Sequence, residues 1–434
     1  MEQGSWMASG AAGTYAPARG LASEQPATDL VERTVCVVMC LLAASLPNDS
    51  VLGGYDPETG IGLRSPSYYL GMLGVGLSVL LLPRLLQVFM RCRALQLLVG
   101  ATTTALVILL VMVLAGEARL RAEYAIDRPY KSMLMALLFI YCASRPIWRR
   151  RLILSYLGGW IVFVVAALYL VLIGDAPVTL QFGAPRQAVM GMNPNVQATI
   201  AASGMVLLLM EAIYHRNLWQ LLVGIVGFVL GGIVFLAGSS RTGLAGLAAA
   251  LLVAVFSTTR LAKRDRRSIL LRTIAVGVVL VGAILWLRSH DESFFEAFDS
   301  MTTRTGLALS GDDTGDRKEA MLATLGVAMA HPGGVGLGRT LDYIGMDPHN
   351  GYVKIVAEGG VLGLVFLVAY ILVVARDTIN AARRVEDQGA VAAFVLFSVA
   401  AASGQALVES PYWFFFSFVA FAPPPAAPRR ARPA

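Results

Sequence analysis

Leu218–Gly238 runs for 21 residues without a charged side chain, and Ala94–Gly116 and Leu152–Gly174 each do so for 23. A helix needs about 20 mostly apolar residues to cross the hydrocarbon core of a bilayer. Twelve segments have this character: 31–47, 67–90, 95–115, 130–147, 152–174, 196–214, 218–238, 242–258, 270–288, 351–375, 389–408 and 411–422. The last stops after a dozen residues at Pro423, so it reads as a partial span. Only 15% of the chain is charged, against roughly 25% in soluble domains. A soluble enzyme, a secreted disulfide scaffold and a disordered tail protein are thereby excluded. The expected fold is an all-α polytopic membrane protein with 11–12 transmembrane helices.

Residues 1–29 are polar and read as a disordered cytoplasmic tail, since they lack the basic start and short apolar core of a signal peptide. Residues 30–422 then form one transmembrane domain, and 423–434 a basic, Pro-rich cytoplasmic tail. With the N-terminus inside, the inner segments hold 20 Lys and Arg, among them Arg84, Arg145, Arg149 and Arg384, and the outer loops hold 11. The positive-inside rule therefore puts both termini in the cytoplasm. The same rule accounts for the net charge of +7 by inner-loop arginines meeting anionic lipid, so nucleic acid is not implied. One long outer loop, 289–350, carries ten acids and four bases. Within it Arg317–Ala330 has helical spacing and should lie at the membrane surface, ahead of a Gly-rich turn.

The four cysteines give neither a disulfide framework nor a metal-ligand spacing. Cys36 and Cys40, four apart in the first span, read as packed core thiols. His215, His290 and His331 lack the neighbours of a metal site. The run Gly333-Gly334-Val335-Gly336-Leu337-Gly338 looks like a nucleotide-binding loop, but it follows no strand of a βαβ unit. Ser239 and Ser240 are not in a nucleophile elbow.

The informative bases are those on the outer side, where the charge rule would remove them. Arg186 precedes Asn193-Pro194-Asn195, Arg241 stands in the tight turn Gly238-Ser239-Ser240-Arg241-Thr242-Gly243, and Arg317 opens the surface helix. A charge at membrane depth costs roughly 2.5–3.5 kcal/mol on insertion scales, so each needs a partner, water or an anionic ligand. Snorkelling, or pairing with Asp316 or Asp347, would serve for any one of them. Three forked, permanently charged guanidinium groups on one face suit a diphosphate. His349 stands before Asn350, a suitable N-cap, where the positive end of a helix would keep its ring neutral and able to act as a base. Lys354 and Glu358, one turn apart, should pair and lock that helix.

His349-Asn350-Gly351-Tyr352 followed by Glu358-Gly359-Gly360-Val361-Leu362-Gly363 resembles the HN-x-Y…E-x-G-x-x-G signature of the O-antigen ligase and O-antigen polymerase superfamily. Asp316-Arg317 with His331-Pro332 and the glycine run, Ser240-Arg241-Thr242-Gly243, and Arg186 with Asn193-Pro194-Asn195 resemble three further motifs in the family's order. Met321 stands where the family often has an aromatic, and the short last segment is also unusual. The resemblance implies a metal- and cofactor-independent, inverting glycosyltransferase of the bacterial plasma membrane, with its site on the periplasmic face. Its donor would be a glycan on undecaprenyl diphosphate and its acceptor a sugar hydroxyl. By the same resemblance His349 activates the acceptor, Arg241 and Arg317 hold the diphosphate with help from Arg186, and Asn350, Tyr352, Lys354 and Glu358 support them. Polymerase of exopolysaccharide or O-antigen repeat units is the leading expectation. The alternatives are ligase to lipid A core, protein O-oligosaccharyltransferase, transporter or flippase, and a non-catalytic assembly component. Membrane lipids and other polysaccharide export proteins complete the expected partners.

Overall fold

The computed structural model describes residues 26–48, 66–116, 128–173, 178–181, 184–187, 193–214, 218–238, 240–258, 315–345, 350–384, 387–402 and 410–420, with isolated positions between 271 and 289. Seven helical segments are long and apolar enough to cross a membrane, and four shorter apolar helices accompany them. Together they coincide with eleven of the twelve expected spans; 270–288 lies almost wholly outside the described residues, as do 1–25 and 421–434.

The order is α1 (Pro26–Ser45), α2 (Pro66–Ser78), α3 (Leu82–Arg91), α4 (Arg93–Leu114), α5 (Arg128–Ala143) and α6 (Pro146–Ile173). An antiparallel hairpin of β1 (Val178–Gln181) and β2 (Ala184–Gln187) follows, with Thr179 opposite Arg186, a small departure from the all-α expectation. Then come α7 (Pro194–Tyr214), α8 (Leu218–Ala237), α9 (Arg241–Thr258), α10 (Gly315–Ala330), α11 (Thr340–Ile344), α12 (Gly351–Ala381), α13 (Gln388–Ala401) and α14 (Ser410–Ala420).

Two expected continuous spans are interrupted. A 3-10 turn at Val79–Leu81 separates α2 from α3, because Pro83 has no N–H to continue the α-helical ladder. The second break falls inside α12, where Gly360 has φ 60° and ψ −148°, leaving a half-helix of 351–359 ahead of a longer one.

Close packing rests on small residues, as it must where lipid competes with protein for apolar contact. Trp160 fills the space that side chains at Gly204 and Gly231 would occupy, and its Nε1–H donates to Ile200 O at 3.1 Å. The central helix is α7, with 89% of its apolar window buried. Every residue of α14 from Pro411 to Ala420 is buried, and Phe414 packs against Phe139 and Tyr156. A helix apolar all round belongs in the interior, so the expected partial span is a core element. Cys36 donates to Cys142 across α1 and α5 at 3.3 Å.

Bases assigned to the inner side gather at one end of the bundle. Glu32 of α1 accepts from Arg84 of α3 at 2.6 Å and pairs with Arg145 at 3.1 Å. One turn from Arg145, Arg149 pairs with Asp387 at 2.5 Å, and Arg384 pairs with the same carboxylate at 2.8 Å. At this end too, burial pushes the Cys92 thiol up to about 12, as suits a packing residue.

Candidate functional site

At the other ends of these helices, the motif residues form two clusters. In the first, Asn193 Oδ1 accepts from Asn195 N at 2.9 Å, which caps α7 after its Pro194 start. Ser240 does the same for α9, its Oγ accepting from Gly243 N at 3.1 Å. The Ser240 hydroxyl donates in turn to Asn195 Oδ1 at 3.0 Å. Two helix N-termini thus lie side by side, joined by the bond from the α9 cap Ser240 to Asn195 in the first turn of α7. Gly238 permits this approach, since a Cβ there would sit 2.8 Å from Pro194 O. Arg241 is the first residue of α9, half-buried and engaged by a neighbour. Adjacent helix N-termini with an arginine beside them favour an anion.

The second cluster surrounds the half-helix of α12. Asn350 caps it, Oδ1 accepting from Tyr352 N and Val353 N at 3.1 Å each. The Asn350 amide also rests on Met321 Sδ of α10 at 3.9 Å, so α10 touches the N-cap. Tyr352 donates its hydroxyl to Ser398 O of α13 at 3.2 Å. A Cβ at Gly246 of α9 would lie 3.0 Å from Leu396 O, two residues before Ser398 on α13. The first turn of α12, at Tyr352, and the second turn of α9, at Gly246, therefore flank the same turn of α13, and the two clusters share one side of the bundle.

The glycine run is the chain's answer to the break at Gly360. Val335 N and Gly336 N donate to Ala357 O and Glu358 O at 3.0 Å, and Val361 N donates to Pro332 O at 2.9 Å. Leu337 N continues to Ala105 O of α4 at 2.9 Å, so the loop enters at the depth of a spanning helix. Irregular backbone is tolerated there only when its polar groups are satisfied by protein or water. Gly334 and Gly336 have φ of 88° and 87°, and a Cβ on either would come within 3.0 Å of backbone. Discounting this motif as a nucleotide loop agrees with its role here, which is to dock on an unwound helix.

Glu358 is 4% exposed, and its Oε1 accepts from Thr340 Oγ1 of α11 at 3.1 Å. The expected partner was Lys354, one turn back; the carboxylate bonds instead to Thr340 of the neighbouring element. Lys354 is half-buried. Arg317 lies in the first turn of α10, confirming that the spacing there is helical, and Arg186 lies in β2 opposite Thr179. The side chains of these two arginines, and the whole of His349, fall outside the described residues. Among the described residues no three of His, Cys, Asp and Glu meet as a metal site requires.

Sequence reading missed Thr340 and Ser398 as partners. Neither lies in a motif, and both contacts cross between elements that spacing along one helix cannot relate. Alternate glycines at 334, 336 and 338 were the available signal for the docked loop.

Residues 226–368 match a protein family described as O-Antigen ligase. No match is found among curated proteins or among solved structures. The matched segment contains the Ser240–Arg241 cap, Arg317, the glycine run and the whole half-helix of α12; Arg186 and the Asn193–Asn195 cap lie before it.

Proposed function

We propose that this chain, whose residues 226–368 match the O-antigen ligase family, is a transferase of the O-antigen ligase and polymerase kind that moves a glycan from undecaprenyl diphosphate to a sugar hydroxyl at the outer face of the plasma membrane. The observation that carries this reading is the joined pair of helix N-termini with Arg241 at their edge. Fixed positive charge of this kind takes up the charge that develops on a diphosphate leaving group, without a metal. Arg241, Arg317 and Arg186 hold the diphosphate, and the half-helix presents His349 from the residue before its N-cap.

In the reaction, His349 takes the proton from the acceptor hydroxyl. The oxygen attacks the anomeric carbon, and the bond to the diphosphate breaks with its electron pair leaving on undecaprenyl diphosphate. A single displacement inverts the anomeric configuration. We favour the polymerase of exopolysaccharide or O-antigen repeat units over the ligase, with protein glycosylation third.

Broken helices also occur in transporters, where unwound carbonyls coordinate an ion near the midplane. Here the Ala357 and Glu358 carbonyls are engaged by the glycine loop, which favours a rigid scaffold over an ion path.

The deciding experiment measures the pool of lipid-linked glycan in cells lacking the protein, with and without a His349→Ala copy. Accumulated single repeat units identify a polymerase, and long chains left on the carrier identify a ligase. An unchanged pool, with His349→Ala restoring product in full, overturns the transferase reading.

Arg317→Lys should lower product by about tenfold or more, because an ammonium cannot supply the bidentate fork and one charge-assisted hydrogen bond is worth about 1.5–3 kcal/mol. Near-parental output from membranes containing normal amounts of the variant would remove Arg317 from the diphosphate site.

A further inference from the structure

We infer that the Glu358–Thr340 hydrogen bond is a latch that sets the direction of the half-helix, making Glu358 a positioning residue for the base carried at its other end. The inference rests on the transferase reading for its consequence, although not for its geometry. At Gly360 the backbone leaves the helical region, so the longer part of α12 does not hold the half-helix in line. Its orientation is set by what touches it. Asn350 meets Met321 at the N-terminal end, and Tyr352 meets Ser398 one face round. The C-terminal end is held by the backbone bonds from Val335 and Gly336 and by Glu358.

Thr340 is 0% exposed and is the first residue of α11, two positions after the glycine run ends. The Glu358 side chain thus ties down the far side of the loop whose near side the backbone bonds already hold. A buried carboxylate is unfavourable unless hydrogen-bonded, so its placement against a buried hydroxyl fixes both elements. Loss of this bond lets the loop lift from Leu109 and Ala105 and lets the half-helix tilt, which displaces its N-cap, Asn350. Diphosphate binding by Arg241 sits on α9, on the other side of α13, and is not moved.

The test uses the detergent-purified full chain with Thr340→Val, which removes the hydroxyl and keeps the shape, and Thr340→Ser, which restores it. The first readout is independent of activity. Leu337 is 9% exposed beneath the loop, so Leu337→Cys should react slowly with a maleimide in the parent and several-fold faster when Thr340→Val is added. The native chain supplies the background. The second readout is the transfer reaction with lipid-linked glycan. Thr340→Val should lower kcat by about tenfold to a hundredfold, the range expected of a displaced catalytic group, with KM for the donor unchanged. Thr340→Ser should return both readouts to within about twofold of the parent.

Unchanged maleimide protection in Thr340→Val overturns the latch whatever the activity. Faster labelling with an altered KM and an unchanged kcat overturns the positioning role. If the parent itself transfers no glycan while labelling follows the hydroxyl, the latch stands and the transferase reading fails.

Discussion

Gly360→Ala should destabilise the protein by about 3 kcal/mol or more, seen as a lower temperature at which half the detergent-solubilised protein stays monodisperse. Two effects combine. The backbone at φ 60° and ψ −148° is a region open essentially to glycine alone, and forcing another residue into it costs about 1–3 kcal/mol. A Cβ there would also lie 2.3 Å from Pro332 O and 2.5 Å from Gly334 N. These are backbone atoms of the docked loop, so no side-chain rotation relieves the contact. The bond from Val361 N to Pro332 O would be lost with the displacement, leaving polar backbone unsatisfied at membrane depth. Gly333→Ala is the control, because a Cβ at Gly333 meets nothing within 4 Å and its φ is not positive. It should fall within about 0.5 kcal/mol of the parent, as surface substitutions do. Equal behaviour of the two variants would show that the loop does not dock on a broken helix.

That break is where the limits of sequence reading are clearest. Eleven spans were legible because apolar runs near 20 residues have few other uses. The helix Gly315–Ala330, two residues longer than the Arg317–Ala330 expected, followed from its spacing. The capping role of Asn350 and the grouping of Arg84, Arg145, Arg149 and Arg384 at one end of the bundle were legible too, the first from residue type and the second from charge asymmetry. What was not legible depends on contacts between distant segments. Gly359-Gly360 inside a hydrophobic run reads as a tolerated pair of helix glycines until the loop that fills the gap is placed beside it. Glu358 and Lys354 sit at a spacing that favours pairing, yet Thr340, from another element, takes the carboxylate. The twelve-residue final segment looked too short to span; α14 is enclosed by α5, α12 and α13.

Asp387→Ala should cost about 3–5 kcal/mol of stability while leaving the kinetics of the surviving folded protein unchanged. Asp387 is 0% exposed and receives Arg149 at 2.5 Å and Arg384 at 2.8 Å. Removing one member of a buried ion cluster leaves uncompensated charge, and that penalty dominates the effect. Here two guanidinium groups would face each other across the vacated position. Arg149 also donates to Ala143 O at 3.1 Å and to Phe418 O at 3.0 Å. It therefore joins the C-terminal end of α5, the start of α13 and the end of α14, and its displacement would loosen the aromatic core around Phe414. Asp387→Asn, which keeps an acceptor but not the charge, should lose less. The combined Arg149→Met and Asp387→Leu variant should recover part of the loss, since apolar replacement of a buried pair is often neutral. The readout is the same thermal series as for Gly360, with transfer kinetics on the soluble fraction. An Asp387→Ala protein as stable as its parent would mean that the cluster contributes nothing to the fold. A fall in kcat at normal stability would mean that this end of the bundle communicates with the site. The contrast between the two ends makes the outcome informative. At this end the arginines are matched by Glu32 and Asp387, so their charge is consumed in holding helices together. At the other, Arg241, itself engaged by a neighbour, stands at the edge of two helix N-termini whose own partial charge is positive, an arrangement that favours an incoming anion.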